Sequence, residues 1–565
     1  MTNSFIPKPQ ALLGLTKQNW RSGLTVALIS IPLSIALSIA SGAGPLPGII
    51  TGIWATALAS FFGGSNYNII GAAGALTTTL FAATLVAPHN LGPAILPLLA
   101  MVTGAIILVI WALRADRFLY YIPSSVMYGF AAGVAFLIAA SQLFDATGLS
   151  ALKRTGTFLG DIALFIGNAA QTHVATLITF GIGLAFILLW KRYIKAFPAV
   201  IAIAILGIIF GWIESTYLQF DLISLGDKFG AIKGALTQPV MWEGFSLILR
   251  DSEALMWILK IGGIIALIGV LETLITAKIG DKITKTQSSS RRELFGLAIA
   301  NLGSGAMGGL PATGVFIRTG ANIKAGATHR MSAFIAAGST AVIALAVLPL
   351  FTYLPVAIIA AMLVNTAIGL IEFEKFKEFW LHEKESLAIA LLVATITVLH
   401  DAGAGVLVGV IAALALFVER VSHGRFDIIF NYHDGSFEEE RGIKMLHIPK
   451  DKKIAIATYS IAGSLGYIDS ARHAANFRHL ANSENVEAVI IRLRELSNLD
   501  QEGAEMLAEA IDDLKKHKKK VCISSANEEV LERLLKFPAV QAMSETGGVC
   551  TKAGEALKQL RPTLA

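Results

Sequence analysis

Long apolar runs, separated by short stretches with glycine, proline or charged residues, fill about the first three quarters of the chain. No Lys, Arg, Asp or Glu occurs between Gly23 and Gly64, for example. A run of about 18–25 apolar residues is long enough to cross a bilayer as a helix. The pattern therefore predicts about fourteen transmembrane helices, near residues 22–40, 45–62, 67–86, 94–114, 120–142, 172–190, 197–213, 255–279, 291–307, 311–326, 330–350, 354–372, 383–400 and 404–421.

The pattern changes after Arg420, where charged residues become frequent. Three apolar stretches, KKIAIATYSI, VEAVIIRL and KVCISSA, predict strands, and each is followed by a stretch with helical spacing. Strands that alternate with helices predict a small α/β domain of about 125 residues, enough for its own core. We place this domain at 440–565, the transmembrane domain at 22–421 and a cytoplasmic segment at 1–21.

Two of the predicted helices are interrupted. The third, YNIIGAAGALTTTLFAA, contains Gly71 and Gly74, and the tenth starts with GGLPATG, in which four of seven residues are Gly or Pro. Gly74 and Gly314 are 240 residues apart, and the same offset places Pro32 opposite Glu272. Interrupted helices at matching positions of two halves indicate a transporter's binding site. We therefore predict a polytopic α-helical membrane protein with a seven-plus-seven inverted repeat.

Composition and charge agree with a membrane protein. Charged residues are 15% of the chain, against about 25% in soluble domains. The loops at Arg114–Arg117, Lys191–Lys195 and Lys278–Arg292 are basic, and basic loops usually face the cytoplasm. We expect a multi-pass protein of a bacterial inner membrane with both termini inside. The net charge of +6 then reflects membrane sidedness, and we expect no nucleic-acid partner.

The sequence carries no sign of an enzyme. It has no P-loop, no HExxH and no nucleophile elbow, so we expect neither catalysis nor a cofactor. The two cysteines, Cys522 and Cys550, lie in the polar tail without a neighbouring His cluster. We expect neither a zinc site nor a disulfide there. We also expect no cleaved signal peptide, because Met1–Trp20 lacks a continuous apolar core.

The stretch NLGSGAMGGLPATGVFIRTGANIKAGATHR (Asn301–Arg330) closely resembles the tenth-span signature of the sulfate permease family of anion transporters. GAGPLPGIITGIWA in the second span, LETLIT in the eighth and the α/β tail, which resembles a STAS domain, fit the same family. The resemblance implies fourteen spans in two inverted repeats, divided into a core and a gate domain. It also implies alternating access, a homodimer, and an anion bound between spans three and ten.

At that position backbone N–H groups and the positive dipole ends of two half-helices would converge on an anion. We predict that the substrate site is formed by small residues of the half-helices, by one arginine and by the facing wall of the first span: Ala73, Gly74, Ala75, Thr313, Gly314, Val315, Arg318, Ser34 and Leu37. Small residues also suit close helix packing without a ligand. The alternative for Arg318 is a side chain that extends to the cytoplasmic interface.

Glu272 lies in an otherwise uncharged run from Ile261 to Ala277. An ionisable group inside a span is a functional hypothesis by default, because it can carry a proton or, with Thr276 one turn later, hold Na⁺. The resemblance places the family's coupling-ion position at Glu272. Proton-coupled members tend to have Glu there and Na⁺-coupled bicarbonate carriers Asp, which favours H⁺. The alternative is a purely structural pair between Glu272 and Arg318.

These observations predict a symporter of a small anion, sulfate or bicarbonate, coupled to H⁺ or Na⁺. A C4-dicarboxylate transporter of the same family, an uncoupled anion channel and a membrane-anchored STAS signalling scaffold stay open as alternatives. A nucleobase permease of the same fold is disfavoured by the tail and by Arg318.

The tail itself predicts a protein-interaction or dimer-stabilising role. Soluble STAS proteins have a phosphorylated serine in the loop before the second helix, but this loop reads Asp500-Gln501-Glu502-Gly503. We therefore expect no phosphorylation there. The basic stretch Lys515–Lys520 is interpreted as a solvated helix end, with contact to membrane lipid as the alternative.

Overall fold

The structure is a computed structural model that describes residues 9–114, 123–152, 154–155, 157–194, 197–218, 220–240, 242–400, 402–422, 425–443, 446–449 and 452–561. The chain divides into two units, Met1–Ala413 and Leu414–Ala565. The division falls inside the last apolar helix, Ala402–Ser422.

The first unit is built of helices and one pair of two-residue strands, β1 (Ile70–Gly71) and β2 (Thr313–Gly314), within its described residues. Its helices, in chain order, are α1 Pro9–Ala40, α2 Pro45–Phe62, α3 Gly74–Leu85, α4 Ile95–Ala112, α5 Ser124–Ser141, α6 Leu143–Thr147, α7 Phe158–Asn168, α8 Val174–Tyr193, α9 Ala199–Ile213, α10 Leu225–Phe229, α11 Trp242–Arg250, α12 Ser252–Thr284, α13 Ser290–Ala306, α14 Phe316–Lys324, α15 Met331–Val347, α16 Val356–Leu370, α17 Phe373–His382, α18 Lys384–Leu399 and α19 Ala402–Ser422. The first helix begins at Pro9, so the predicted separate segment at 1–21 is partly helical.

Nine helical segments in the described ranges are long and apolar enough to cross a membrane. They are Leu13–Ala40, Pro45–Phe62, Gly92–Ala112, Ser124–Thr147, Val174–Tyr193, Ala199–Leu218, Ser252–Thr284, Met331–Tyr353 and Val356–His382. The other five predicted spans coincide with the helices α3, α13, α14, α18 and α19. The chain is a multi-pass α-helical membrane protein, as predicted, whereas the count of fourteen and the inverted repeat stay predictions.

Small residues set how closely these helices pack. A Cβ atom on Gly129 of α5 would overlap the carbonyl oxygen of Ala390 in α18, and one on Gly48 of α2 would overlap that of Ser34 in α1. Close backbone approach is a main source of helix association in lipid, because apolar side chains gain little by leaving it. Glycine at both positions therefore determines how these helices can pack.

The second unit is an α/β fold with a six-stranded sheet in the order β4-β3-β5-β6-β7-β8. Its strands are β3 Arg425–Tyr432, β4 Phe437–Ile443, β5 Ile454–Leu465, β6 Val486–Leu499, β7 Lys520–Ser524 and β8 Val549–Cys550, and its helices are α20 Tyr467–Asn482, α21 Gln501–Lys516, α22 Glu528–Leu534, α23 Pro538–Glu545 and α24 Ala553–Leu560. Strands β5 to β8 are parallel, whereas β3 pairs antiparallel with both neighbours. The predicted α/β domain is confirmed, but the sheet begins at Arg425 and the predicted boundary at 440 falls inside β4.

The loop before α21 is organised by Asp500. Its carboxylate accepts hydrogen bonds from the backbone N–H of Gly503 at 2.7 Å and of Tyr467 at 3.0 Å. Asp500 thus caps α21, which satisfies helix N–H groups that have no carbonyl partner in the first turn. The absence of a serine in this loop leaves its capping geometry intact.

The two cysteines lie on β7 and β8 of the same sheet. Both are free thiols, and their Sγ atoms are 3.9 Å apart. Burial, together with the neighbouring Cys550, raises the pKa of Cys522 to about 12. Cys522 is therefore a neutral thiol at physiological pH, and the thiol rather than the thiolate packs in the sheet.

A polar cluster lies inside the apolar core of this unit. The Asn476 amide donates to the Tyr459 hydroxyl at 2.9 Å, and that hydroxyl lies 2.8 Å from Nδ1 of the fully buried His473. Nε2 on the other side of this ring has no hydrogen-bond partner among the described residues. Burial lowers the pKa of His473 to about 4, because a charged imidazolium there would lose its hydration.

We expect the second unit to lose stability as the pH falls from about 6.5 to about 4. The unfolded chain binds a proton at His473 in this range and the folded chain does not, so the loss should reach about 3 kcal/mol. Hydrogen exchange of β5 and α20 in the full chain, at about pH 7.5 and about pH 5, measures it. His473→Gln should reduce the pH effect, whereas the exposed His517→Gln should not; equal pH effects in both variants would contradict the assignment.

Candidate functional site

The two interrupted spans meet at a short antiparallel ladder. Ile70 of β1 pairs with Gly314 of β2, and Gly71 pairs with Thr313. Ala72 and Ala73 connect β1 to α3, which begins at Gly74, and Val315 alone connects β2 to α14, which begins at Phe316. The first turns of both helices therefore emerge from one place, and the helix starts are 242 residues apart.

Two of the backbone N–H groups predicted to bind the anion already donate hydrogen bonds to other groups of the protein. The N–H of Gly314 donates to Thr273 Oγ1 at 2.8 Å, and the N–H of Val315 donates to the carbonyl of Ile69 at 2.9 Å. The leading amides of a helix have no intrahelical partner, and in α14 these belong to Phe316 and Ile317. In α14 the donors available to a ligand thus lie after the predicted Thr313, Gly314 and Val315, whereas in α3 they include the predicted Gly74 and Ala75.

A cavity of about 290 Å³ opens beside these helix starts. Ala75 of α3 and Phe316 of α14 line it, together with residues of α5, α12 and α16. Its volume is at the small end of the range for small-molecule sites, about 300–1,000 Å³. The cavity has room for a small anion with some water.

Glu272 and Thr276 of α12 line the same cavity. The Glu272 side chain is half-buried, and its Oε2 atom has no hydrogen-bond partner among the described residues. Thr276 donates from Oγ1 to the carbonyl of Gly314 at 3.3 Å. An unpartnered carboxylate oxygen in a mostly apolar cavity is costly unless it binds a proton or a cation.

Arg318 is fully buried and approaches the ladder from the side of α1. Its Nη2 donates to Ser34 Oγ at 3.0 Å, while Nε and Nη1 have no partner within the described part of the chain. A Cβ atom on Gly71 would lie 2.5 Å from Nη1, so the guanidinium occupies the space that this glycine leaves. Arg318 and Glu272, both described, form no ion pair with each other.

Apolar side chains surround the start of α3. A Cβ atom on Gly74 would lie 3.0 Å from Ile138 Cδ1, 3.6 Å from Leu370 Cδ1 and 3.9 Å from Leu37 Cδ2. The predicted wall residue Leu37 is thus near the helix start, whereas Ser34 is engaged by Arg318. The immediate surroundings of the α3 amides are apolar, which strengthens electrostatic interactions with a bound charge.

Comparison with known proteins gives the family. Residues 17–393 match the Sulfate permease family, and residues 447–544 match the STAS domain. The chain belongs to the sulfate permease family. It is therefore a membrane anion transporter with a STAS domain rather than an enzyme, and the resemblance identified in the sequence is confirmed.

Several relatives align along most of this permease. YvdB of Bacillus subtilis is 25% identical over 518 residues, which cover 91% of this chain and 92% of YvdB. The bicarbonate transporter BicA of Picosynechococcus is 24% identical over 423 residues, 71% of this chain and 70% of BicA. The murine Slc26a9 anion transporter in the inward-facing state matches with a TM-score of 0.75 at 13% identity, covering 100% of this chain and 96% of that one. The last likeness shows the fold alone.

Residues that the sequence analysis did not identify hold the permease's helix starts in place. Glu293 Oε2 accepts from the N–H groups of Gly64 and Ser65, each at 2.8 Å, and its Oε1 accepts from the Asn68 amide at 2.7 Å. The side-chain Oδ1 of Asn68 in turn accepts a hydrogen bond from Thr319 Oγ1 of α14 at 3.0 Å. One buried carboxylate thus fixes the segment before β1 and connects it to α14.

Two further side chains hold the segment before β2. Asn301 of α13 accepts from the N–H of Ala312 at 2.8 Å and donates to its carbonyl at 2.9 Å. Thr51 Oγ1 of α2 accepts from the N–H of Leu310 at 2.6 Å. Such polar residues inside spans are a sequence signal for this role, because membrane-embedded backbone outside a helix needs side-chain partners.

We predict that Glu293→Gln destabilises the first unit by about 2 kcal/mol or more. Glutamine has one accepting oxygen in place of two, so at least one of the three buried donors would lose its partner. Thermal unfolding of the purified chain in detergent measures the change. Glu374→Gln on the exposed face of α17 is the matched control, and an equal unfolding midpoint in both variants would argue against the capping role.

Proposed function

We propose that this permease is a secondary active symporter of a small oxyanion, sulfate or bicarbonate, coupled to H⁺ through Glu272. One observation carries the proposal: two helix N-termini meet beside a cavity in which a carboxylate oxygen has no partner among the described residues. The helix starts suit an anion, and the carboxylate suits a proton.

Anion binding rests on the amides of Gly74 and Ala75 in α3 and of Phe316 and Ile317 in α14. Unpaired N–H groups and the positive ends of two helix dipoles bind sulfate, phosphate or carboxylate groups readily. The buried Arg318 adds a full positive charge behind the ladder without contacting the cavity. Backbone donors of this kind fit both sulfate and bicarbonate; the family is named for the first, and BicA is named for the second.

Coupling follows from the position of Glu272 in the same cavity. Two negative charges about 7 Å apart at an effective dielectric constant near 20 repel each other by about 2 kcal/mol. A proton on Glu272 removes this repulsion, so proton binding and anion binding favour each other, and the coupling is reciprocal. Na⁺ held by Glu272 and Thr276 would have the same effect and is the alternative coupling ion.

Transport further requires that the site open to each side in turn. We propose movement of a core domain, which includes α3 and α14, against a gate domain that includes α5, as in an inverted-repeat transporter. The cavity's lining includes Lys278 near the C-terminal end of α12, and because basic residues at span ends usually face the cytoplasm, this supports an opening toward that side. We further propose that the permease forms a homodimer in a bacterial inner membrane with both termini in the cytoplasm. The STAS domain would bind a cytoplasmic protein partner.

Proteoliposomes with the purified chain test the function. We expect an inward H⁺ gradient to drive accumulation of labelled sulfate or bicarbonate, and we expect Glu272→Gln to abolish this driven accumulation while anion exchange continues. Glu372→Gln, which changes another carboxylate lining the same cavity, is the control and should keep coupling.

Each alternative has its own outcome in this assay. Accumulation driven only by a Na⁺ gradient would identify Na⁺ as the coupling ion. Uptake of labelled fumarate, but not of sulfate or bicarbonate, would indicate a C4-dicarboxylate transporter. Downhill flux without accumulation would indicate an uncoupled anion channel. If no tested anion crosses the membrane, the result would favour the membrane-anchored STAS signalling scaffold. Gradient-driven uptake that persists in Glu272→Gln would overturn the coupling assignment.

Arg318→Ala should raise the KM for the anion about tenfold, because a buried charge several ångströms away contributes on the order of 1–2 kcal/mol. Initial rates of exchange across a range of anion concentrations measure this effect. Ser34→Ala removes the hydrogen bond to Nη2 but keeps the charge, so its KM should change much less. A KM unchanged in Arg318→Ala would assign the guanidinium a structural role only.

A further inference from the structure

A second cavity, of about 320 Å³, lies where α2 and α4 end and where α13 and α15 begin. Three arginines line it, Arg291, Arg292 and Arg330, and so do three aromatic residues, Phe62, Trp111 and Phe295. None of the described residues lines both this cavity and the one that contains Glu272. We call it the basic cavity.

The basic cavity combines strong positive charge with one buried carboxylate. The Arg291 guanidinium lies 5.1 Å from the centre of the Trp111 ring, and Arg330 Nη1 donates to the carbonyl of Gly63 at 3.2 Å. The charges of Arg292 and Arg330 are close enough to act on each other, and Glu293 is the nearby carboxylate that acts on Arg330. Glu293 already accepts three hydrogen bonds from protein donors. Arg291 and Arg330 thus bring two positive charges to the cavity against the one carboxylate of Glu293, which favours a bound anion.

The position of the cavity points to the headgroup level of the membrane. Helices α2, α4 and α15 are among the described helices long and apolar enough to cross a bilayer, and their ends border the cavity. Tryptophan is enriched at that depth, where its ring meets both lipid and water. The helices α13 and α15 also direct their positive dipole ends toward the cavity.

The aromatic half of the cavity indicates what kind of anion fits. Phe295 packs against Phe62 at 5.9 Å and against Trp111 at 5.1 Å between ring centres, forming one apolar surface beside the arginines. A free phosphate ion would use only the basic half. A phospholipid would use both, with its phosphate at the arginines and its glycerol and upper acyl carbons at the aromatic rings.

We propose that the basic cavity binds the phosphate headgroup of an anionic phospholipid. Basic pockets between transmembrane helices are suited to such headgroups, and each Lys or Arg contributes about 1 kcal/mol. This site is separate from the anion transport site and does not rest on the function proposed for it.

Lipid bound there would act on the segment that leads to the transport site. Arg330 contacts Gly63, and Glu293 holds the next two residues, Gly64 and Ser65, and Asn68 just before β1. A phosphate on Arg330 would keep this arginine in place against Gly63. Anionic lipid should therefore stabilise the first unit as well as bind to it.

Native mass spectrometry of the full chain in detergent, titrated with phosphatidylglycerol or with phosphatidylcholine of the same acyl chains, tests the proposal. We expect phosphatidylglycerol to bind more tightly. The Arg291→Gln/Arg330→Gln variant should bind it about 30-fold more weakly, as expected for two arginines at about 1 kcal/mol each. Arg192→Gln/Lys324→Gln removes two exposed charges elsewhere in the unit and should bind like the unchanged chain.

A charge-preserving variant keeps the test independent of folding. Arg291→Lys/Arg330→Lys should retain binding within about threefold, because a lipid phosphate responds mainly to charge. Equal affinity for the two lipids, or an equal loss in the control variant, would overturn the proposal. Inorganic phosphate that binds the same arginines as tightly as the lipid would overturn the lipid assignment and point to a free phosphate. Lipid binding is measured without transport, so either proposal can fail alone.

Discussion

The first unit depends on one constraint, the need to satisfy backbone polar groups where no water is available. Two spans are interrupted at buried residues of this unit, and each interruption leaves N–H and C=O groups without helical partners. The β1–β2 ladder pairs some of them, and Thr273, Asn301 and Thr51 pair others. Because these partners fix both segments, the helix starts at Gly74 and Phe316 would stay open toward the proposed anion.

This arrangement separates the two charges on which transport would depend. Arg318 lies behind the ladder against Ser34, whereas Glu272 lines the cavity in front of it, and no ion pair joins these two described side chains. A direct pair would cancel the positive potential and would bury the proton site. In the proposed mechanism, their separation would let the guanidinium act on the anion at a distance while the carboxylate would exchange a cation with the cavity.

Glu293 connects two features that look unrelated along the chain. Its carboxylate holds the segment before β1, and its neighbour Arg330 lines the basic cavity at the ends of the helices. A change at the basic cavity would thus reach the proposed transport site through the contacts of Arg330 with Gly63 and of Glu293 with Gly64, Ser65 and Asn68. The STAS unit carries its own core and its own buried polar cluster, Tyr459, His473 and Asn476.

Hydrophobic periodicity alone determined the membrane class, the positions of most helices and the α/β tail, because burial in lipid or in a sheet imposes a strong local pattern. Gly and Pro marked both interruptions, and the lone charges drew attention to Glu272 and Arg318. The strands β3 and β4 were missed; β4, FEEERGI, consists mostly of charged residues and so has a weak strand signal. Only the tertiary structure decided which backbone N–H groups already donate hydrogen bonds within the protein. It also decided that Arg318 donates a hydrogen bond to Ser34 and that Glu293 accepts one from Asn68. The last two contacts join residues more than 200 positions apart, and no local pattern encodes them.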